Sequence, residues 1–475
     1  MNEGRKSPIE RVAGTPLRLI TQLGGGDLVD RLGLRDATER ALHGVGKAAG
    51  KGMSKKSPLT LSDSARAKRA AEESKGEGPP TAPKPVAPAG QPARLANIAP
   101  TGVFDLRPTD DQELVRATAR RFADEVMRKA AYAADAAAAP DPAVLAAAQE
   151  LGLAALLVPE AAGGIAETRA LVTTVLAIEE LARGDMGLAL AMLAPLGVVN
   201  ALVEHGTHAQ QQTWLPRFTG DAFVPAALAL LEPRPGSDAA RPQTGAMRAR
   251  SDQGSGWKLF GEKSLVPLGQ SAELFLVLAE VMGAGPRLFL VPRGTAGVTV
   301  TPQPAMGLRA AGTCKLELDG AFVPDDALLG GEDAVVDARG SFDARAIVDR
   351  ARVAWGAMAV GGARAVVDYV IPYCNERKAF GEPVSHRQAV AFMIADLAIE
   401  LEGMRLLVHR AASLADQGKP FTREANLVRV QCGAKGMKAG TDGVQLLGGH
   451  GFVKDHPVER WYRDLRAIAV MEGAL

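Results

Sequence analysis

The chain has 475 residues, 47% of them hydrophobic and 23% charged, with a formal net charge of +1. That length and balance allow two or three packed domains and argue against a disordered chain or a nucleic-acid-binding body. The three cysteines, Cys314, Cys374 and Cys432, are far apart and form no C-x-x-C or Cys/His pair. No disulfide framework or metal site is therefore expected, and a reducing, cytoplasmic setting fits.

Charge is unevenly placed. The first hundred residues carry 17 Lys and Arg against 10 Asp and Glu, and the remainder carries 38 against 44. Residues 1–53 read as a basic extension with short amphipathic helices, through Leu17, Leu19, Ile20 and Leu23, then Leu28, Val29, Leu32 and Leu34. Glycines 24 to 26 interrupt them. The opening residues MNEGRKSPIE lack an apolar h-region, so no secretory signal is expected. Basic residues cluster as Lys47, Lys51, Lys55 and Lys56, then Arg66, Lys68 and Arg69. Residues 1–56 are thus expected to meet an anionic membrane at its inner face or a protein partner, with a solubilising tail as the alternative. Residues 54–102 turn to Ser, Lys, Glu, Pro and Ala and read as an extended linker.

Residues 103–222 have helical period throughout. Thr109-Asp-Asp-Gln112 reads as a capping box opening the first helix. The uncharged run Met186 to Val203 reaches membrane-spanning length, but Gly187, Pro195, Gly197 and Asn200 favour two buried helices joined at the proline. Residues 223–332 change texture: LFLVLAEV, PRLFLVP, GVTVTP and CKLELDGAFVP are short apolar or alternating runs bounded by turn residues, the signals of a β domain. Residues 333–475 return to helical period. Aromatics at 4% with abundant alanine also favour packed helices.

Several stretches then carry a resemblance. RKAFGEPVSHRQ (Arg377 to Gln388) resembles R-x-x-F-G-x-x-x-x-x-x-Q, and DGVQLLGGHGF (Asp442 to Phe452) resembles a Q-x-x-G-G-x-G loop. HPVERWYRD (His456 to Asp464) resembles P-V-E-R-x-Y-R-D, MEGA (Met471 to Ala474) stands where Y-E-G-T would, and LEPRPGSD (Leu231 to Asp238) resembles T-E-P-x-A-G-S-D. In this order and spacing they resemble the acyl-CoA dehydrogenase family from about Val103 onward. The resemblance implies an α+β fold: an N-terminal α-helical domain, a central β domain and a C-terminal four-helix bundle. It also implies FAD, an acyl-CoA substrate, an electron-transfer flavoprotein or other acceptor, and a homodimer or homotetramer.

Desaturating an acyl thioester removes a weakly acidic α-proton while a hydride leaves the β-carbon, work for a carboxylate base and a flavin. The resemblance places that base at Glu472, against the bland reading of a solvated glutamate. A base on the first C-terminal helix, used by some relatives, is closed here, because the residue before Arg352 is Ala351. Ser237 and its neighbours would approach the flavin, pyrophosphate and substrate. Arg377 would pair with the pyrophosphate from across a subunit interface, Phe380 and Gln388 would meet the adenosine, and Gln445, Gly448 and Gly449 would allow close backbone approach. An interface ion pair and a helix-ending turn are the alternatives. Asp349 and Arg352 would contact the acyl-CoA, or simply pair along the helix.

The pattern also departs from the family. Leu231 stands where a Thr is usual, and Leu265-Val266-Pro267 stands where W-x-T would contact the flavin. Pro267 cannot donate even a backbone N–H. Relatives continue beyond the E-G-T into another helix, whereas this sequence ends at Leu475. The competing reading is a catalytically degenerate partner subunit, or an interaction protein docked through its extension.

Overall fold

The computed structural model describes residues 90–99, 107–234, 236, 238–252, 254–331 and 342–473. The expectations for the extension, for most of the linker and for Ser237 lie outside these residues. By its contacts the chain separates into two units, Met1–Pro16 with Gly90–Leu475, and Leu17–Ala89; the described residues belong to the first.

The helical N-terminal part opens with α1 (Asp110–Phe122), capped as expected: the Thr109 hydroxyl accepts from the Gln112 N–H, and the Gln112 side chain accepts from the Thr109 N–H. A π-helical turn, Ala123–Met127, joins α1 to α2 (Arg128–Ala137). Then follow α3 (Pro142–Gln149), α4 (Leu171–Gly184), α5 (Met186–His205) and α6 (His208–Thr219). The run from Met186 is one continuous helix, not two joined at Pro195. Proline removes a single internal hydrogen bond, and a helix packed on all sides tolerates that loss. The apolar window that raised the membrane question is 94% buried within the protein, so α5 is a core helix.

The β domain is a seven-stranded sheet of β1 (Ala226–Ala229), β2 (Gly245–Ser251), β3 (Gly254–Val266), β4 (Leu274–Val281), β5 (Gly285–Pro292), β6 (Val298–Pro302) and β7 (Cys314–Pro324). The order runs β1-β4-β2-β3-β7-β6, with β5 on the other edge of β4. β1 and β2 share one edge of β4, both parallel to it, and the other pairs are antiparallel. β4, LFLVLAEV, is buried on both faces apart from the exposed Glu280, and so reads as a near-continuous apolar run. The register of β3 on β7 slips between Leu259 and Phe260 and again between Lys263 and Val266, where Val266 resumes pairing with Cys314.

The C-terminal bundle has α7 (Ala344–Glu376), a small hairpin of β8 (Lys378–Ala379) and β9 (Glu382–Pro383), α8 (Gln388–Asp416), α9 (Thr422–Leu446) and α10 (Val458–Ala467). α7 is the axis of the molecule, packing on α8 and α9 of the bundle and on α4 of the helical part. Gly361 permits the last contact: a methyl there would overlap the Glu179 carbonyl oxygen of α4.

A charged knot ties the three parts together. Asp185 caps α5 by accepting from the Leu188 N–H at 2.9 Å and also receives Arg460 of α10 at 3.0 Å. Beside it, Asp464 of α10 accepts the N–H of Leu308 from the β domain at 2.6 Å. Burial, reinforced by the Asp185 charge, pushes Asp464 up to about 8.

Candidate active site

Glu472 sits in the turn that follows α10, buried, and is held from two helices. Arg352 of α7 donates to its carboxylate at 2.8, 3.1 and 3.3 Å, and the Arg429 Nε of α9 lies at 3.0 Å. Arg352 also donates to Asn426 Oδ1 at 2.8 Å. The turn itself is pinned: Trp355 Nε1–H donates to the Gly473 carbonyl at 2.7 Å, and Arg429 donates to the Met471 carbonyl at 3.1 Å. Gly473 has φ +70, and a methyl there would meet the Leu230 side chain at 2.7 Å. The glutamate is therefore preorganised by α7, α9 and β1, and is no fraying terminal side chain.

Asp349 completes a four-charge cluster. Its carboxylate is 1% exposed, lies 3.5 Å from Arg352, and has neither oxygen in a well-formed hydrogen bond. Burial pushes its pKa up, against the pull of the Thr422 hydroxyl and Arg352. Burial works against the Arg352 charge, yet the hydrogen bonds and charge of Glu472 prevail and raise its pKa. Arg429 is lowered, first by burial. So Asp349 and Arg352 do pair along the helix, and Arg352 is committed to Glu472 as well.

On the β-domain side the motif LEPRPG is anchored by a buried pair. Glu232 accepts the N–H groups of Gln243 at 2.9 Å and Thr244 at 2.9 Å, the Thr244 hydroxyl at 2.7 Å, and Lys263 Nζ at 2.9 Å. Burial drives Lys263 down to about 8, with Glu232 opposing. Leu231, beside it, accepts the Ser264 N–H at 2.9 Å through its carbonyl. Leu265 sits at φ 52 and Leu268 at φ 58, left-handed positions that cost an apolar residue about 1 kcal/mol or more each. Two donors along this stretch are committed: Leu265 N–H goes to Gln303 Oε1 at 2.7 Å and Leu268 N–H goes to the Ala311 carbonyl at 2.9 Å, while Pro267 has none.

At the far end of the bundle the dinucleotide candidates gather. Arg377 follows α7, Phe380 stands in the hairpin turn at φ 56 and 96% exposed, Gln388 opens α8, and Gln445 closes α9. The side chains of Arg377, Gln388 and Gln445 are exposed and make no hydrogen bond among the described residues. Gly448 and Gly449 have only open space where a Cβ would lie, so their backbone is approachable. This polar, open set fits the phosphates and adenosine of FAD. Where the sequence resemblance would put the flavin ring, the side chains are the apolar Leu265 and Pro267, without hydrogen-bonding groups. The motif-based reading had left Arg429, Asn426, Trp355 and Lys263 unassigned. Lys263 carried a signal, because it shares strand parity with the buried Trp257 and Leu259.

A helical–β–helical chain with a buried carboxylate on a pinned turn after its last helix is the architecture the sequence led us to expect of a flavoprotein oxidoreductase. The N-terminal, middle and C-terminal domain models of acyl-CoA dehydrogenase match residues 109–221, 227–321 and 339–475. The short-chain specific acyl-CoA dehydrogenase of Bos taurus mitochondria is 33% identical over 77% of this chain and 87% of its own. Butyryl-CoA dehydrogenase from Megasphaera elsdenii superposes with a TM-score of 0.70 at 28% identity, over 78% of this chain and 96% of that one. A glutaryl-CoA dehydrogenase from Mycobacterium smegmatis, solved with FADH2, gives 0.67 at 25% over 77% and 92%. The chain belongs to the acyl-CoA dehydrogenase family of flavin-dependent oxidoreductases, and the first hundred or so residues stand outside the matched domains.

Proposed function

We propose that the protein is an FAD-dependent acyl-CoA dehydrogenase that desaturates an acyl-CoA thioester between its α- and β-carbons. The observation that carries this is the placing of Glu472: a buried carboxylate on a turn immobilised by Trp355, Arg352 and Arg429. Its free lone pairs take the α-proton, and the two guanidiniums hold its orientation before transfer. When bound, FAD supplies the acceptor for the β-hydride. Arg377, Gln388, Gln445 and the Gly448–Gly449 backbone hold the dinucleotide, and Leu265 and Pro267 close the ring end with apolar surface that excludes water. An electron-transfer flavoprotein is the natural electron acceptor for such chemistry. Replacing Glu472 by Gln keeps shape and removes the base, so turnover of acyl-CoA with an artificial electron acceptor falls about a hundredfold or more. Near-normal turnover assigns the base elsewhere.

A homo-oligomer is part of this proposal. Phe392, Ile399 and Leu406 recur every seven residues along α8 and are exposed, beside exposed Leu427 and Val430 of α9. A second copy covering this face would bring Arg377 and Phe380 to a neighbouring cofactor. The committed amides of Leu265 and Leu268 favour the second reading, a partner subunit without turnover. Purified protein that stays colourless after reconstitution with excess FAD would establish that second reading.

A further inference from the structure

A cavity of about 240 Å³ lies between α5, α7 and β1, apart from the Glu472 cluster. Most of its wall is apolar, with Ala201 of α5, Leu228 of β1, Ile347 of α7 and Phe421 among the lining residues. A second, smaller hollow adjoins it, and both are lined by Arg169, Asn200, Glu204 and Arg350. These four polar residues sit where the two hollows meet, and His205 and Lys419 also line the larger one.

The charges at that junction do not balance. Glu204 is shared between Arg169 at 2.7 Å and Arg350 at 3.4 Å. The long contact is the only hydrogen bond of the mostly buried Arg350 side chain among the described residues, and burial lowers its pKa. The Nε of Arg169 is buried and has no hydrogen-bond partner among the described residues. Asp416, the other carboxylate nearby, spends both oxygens on the N–H groups of Leu171 and Val172 at 2.7 and 2.9 Å. Arg94 gives its donors to the carbonyls of Val203 and Gly206, and Lys419 stands at the cavity rim. Four cations therefore surround Glu204 and Asp416, and among the described residues the Arg169 Nε–H is buried without a partner while Arg350, its side chain 23% exposed, has only the one long contact. A buried cation with unmet donors is costly unless an anion completes it.

The cavity is also in line with the base. Leu228 lies two residues before Leu230, whose side chain packs on Gly473, so the wall begins about 7 Å along the strand from the Glu472 turn. We infer that the cavity receives an acyl chain ending in a carboxylate, the terminal oxygens meeting Arg350 and Arg169 while the chain lies on Leu228 and Ile347. The substrate class is a short dicarboxylic acyl thioester. This rests on the acyl-CoA dehydrogenase reading, but its test is a binding measurement that needs no turnover.

The experiment is calorimetric titration at neutral pH of the FAD-loaded Glu472→Gln protein with adipoyl-CoA, its terminal amide, and hexanoyl-CoA. Adipoyl-CoA is expected to bind about tenfold or more tightly than the other two, the scale of a charge-assisted hydrogen bond. In Arg350→Met the preference disappears, and in Arg350→Lys part of it returns. Equal or weaker binding of adipoyl-CoA by the parent protein overturns the inference without reference to any variant. An Arg350→Met loss that is equal for all three ligands also overturns it, because the pocket would then be reading the coenzyme phosphates. Normal turnover of hexanoyl-CoA by the wild-type enzyme alongside either result leaves the proposed reaction standing.

Discussion

Two buried charges away from the base make claims that single substitutions test. Lys263 is fully buried and its ammonium lies 2.9 Å from Glu232, so Lys263→Met strands a carboxylate that keeps only neutral donors. Removing one partner of a buried pair costs about 3 kcal/mol or more. The thermal midpoint of Lys263→Met is expected to fall well below that of Lys258→Met, an exposed lysine on the same strand; equal midpoints would mean the pair is not holding the LEPRPG loop. Asp464 bears on pH. Its folded pKa of about 8 stands above the ordinary 3.8, so the folded state holds a proton that the unfolded state has released between those values. Its contribution to stability is complete below about 4 and is lost as pH rises through 8. Thermal midpoints measured from pH 5 to 9 should decline in the parent and decline less in Asp464→Asn, which keeps an acceptor for the Leu308 N–H. Parallel pH profiles would exclude Asp464 as the source.

At the scale of elements, α7 serves several sites at once. Its Asp349 and Arg352 face Glu472, its Ala346, Ile347 and Arg350 line the cavity, and its C-terminal end delivers Arg377. A helix of 33 residues, with Gly361 letting α4 approach, keeps these positions in fixed relation. α8 does the opposite and leaves an apolar stripe uncovered. Placing a charge in its middle, Ile399→Asp, makes the burial of that face against a second copy unfavourable. The native protein is expected to elute as a dimer or larger species in light-scattering chromatography, and Ile399→Asp as a smaller one. An unchanged mass in the variant would move the interface elsewhere.

For the whole molecule, the extension poses the separate question of where the enzyme works. Its basic clusters and apolar patches are compatible with an anionic membrane, which would bring acyl substrates close. Full-length protein should co-sediment with anionic liposomes at low salt and release at high salt, whereas a chain starting at Asn97 should remain in solution. Equal partitioning of the two would leave a protein partner or a passive tail.

The residues proposed to carry the chemistry were singled out by local motifs without a structure, and their roles rest on the proposed function. Glu472 in MEGA, Arg377 with Phe380 and Gln388, and the Gly448–Gly449 turn are each short stretches whose residue types report what the backbone or side chain must do there. The capping box at Thr109 and the four strands from β4 to β7 were equally plain, since hydrogen-bond reach and alternation are local properties. The surroundings of Glu472 were hidden, because Arg429, which pairs with it, Trp355, which holds the Gly473 carbonyl, and Asn426, which holds Arg352, lie 43 or more positions away along the chain and come together only when α7 and α9 pack. The same holds for Arg169, Glu204 and Arg350, three ordinary surface-type residues that fold into one partly buried junction. The continuity of α5 through Pro195 was also decided by packing, since a lone proline reads as a breaker until every side of the helix is covered. Charge pairing, burial and cavity shape depend on distances between remote segments, and only the tertiary structure brings those segments together.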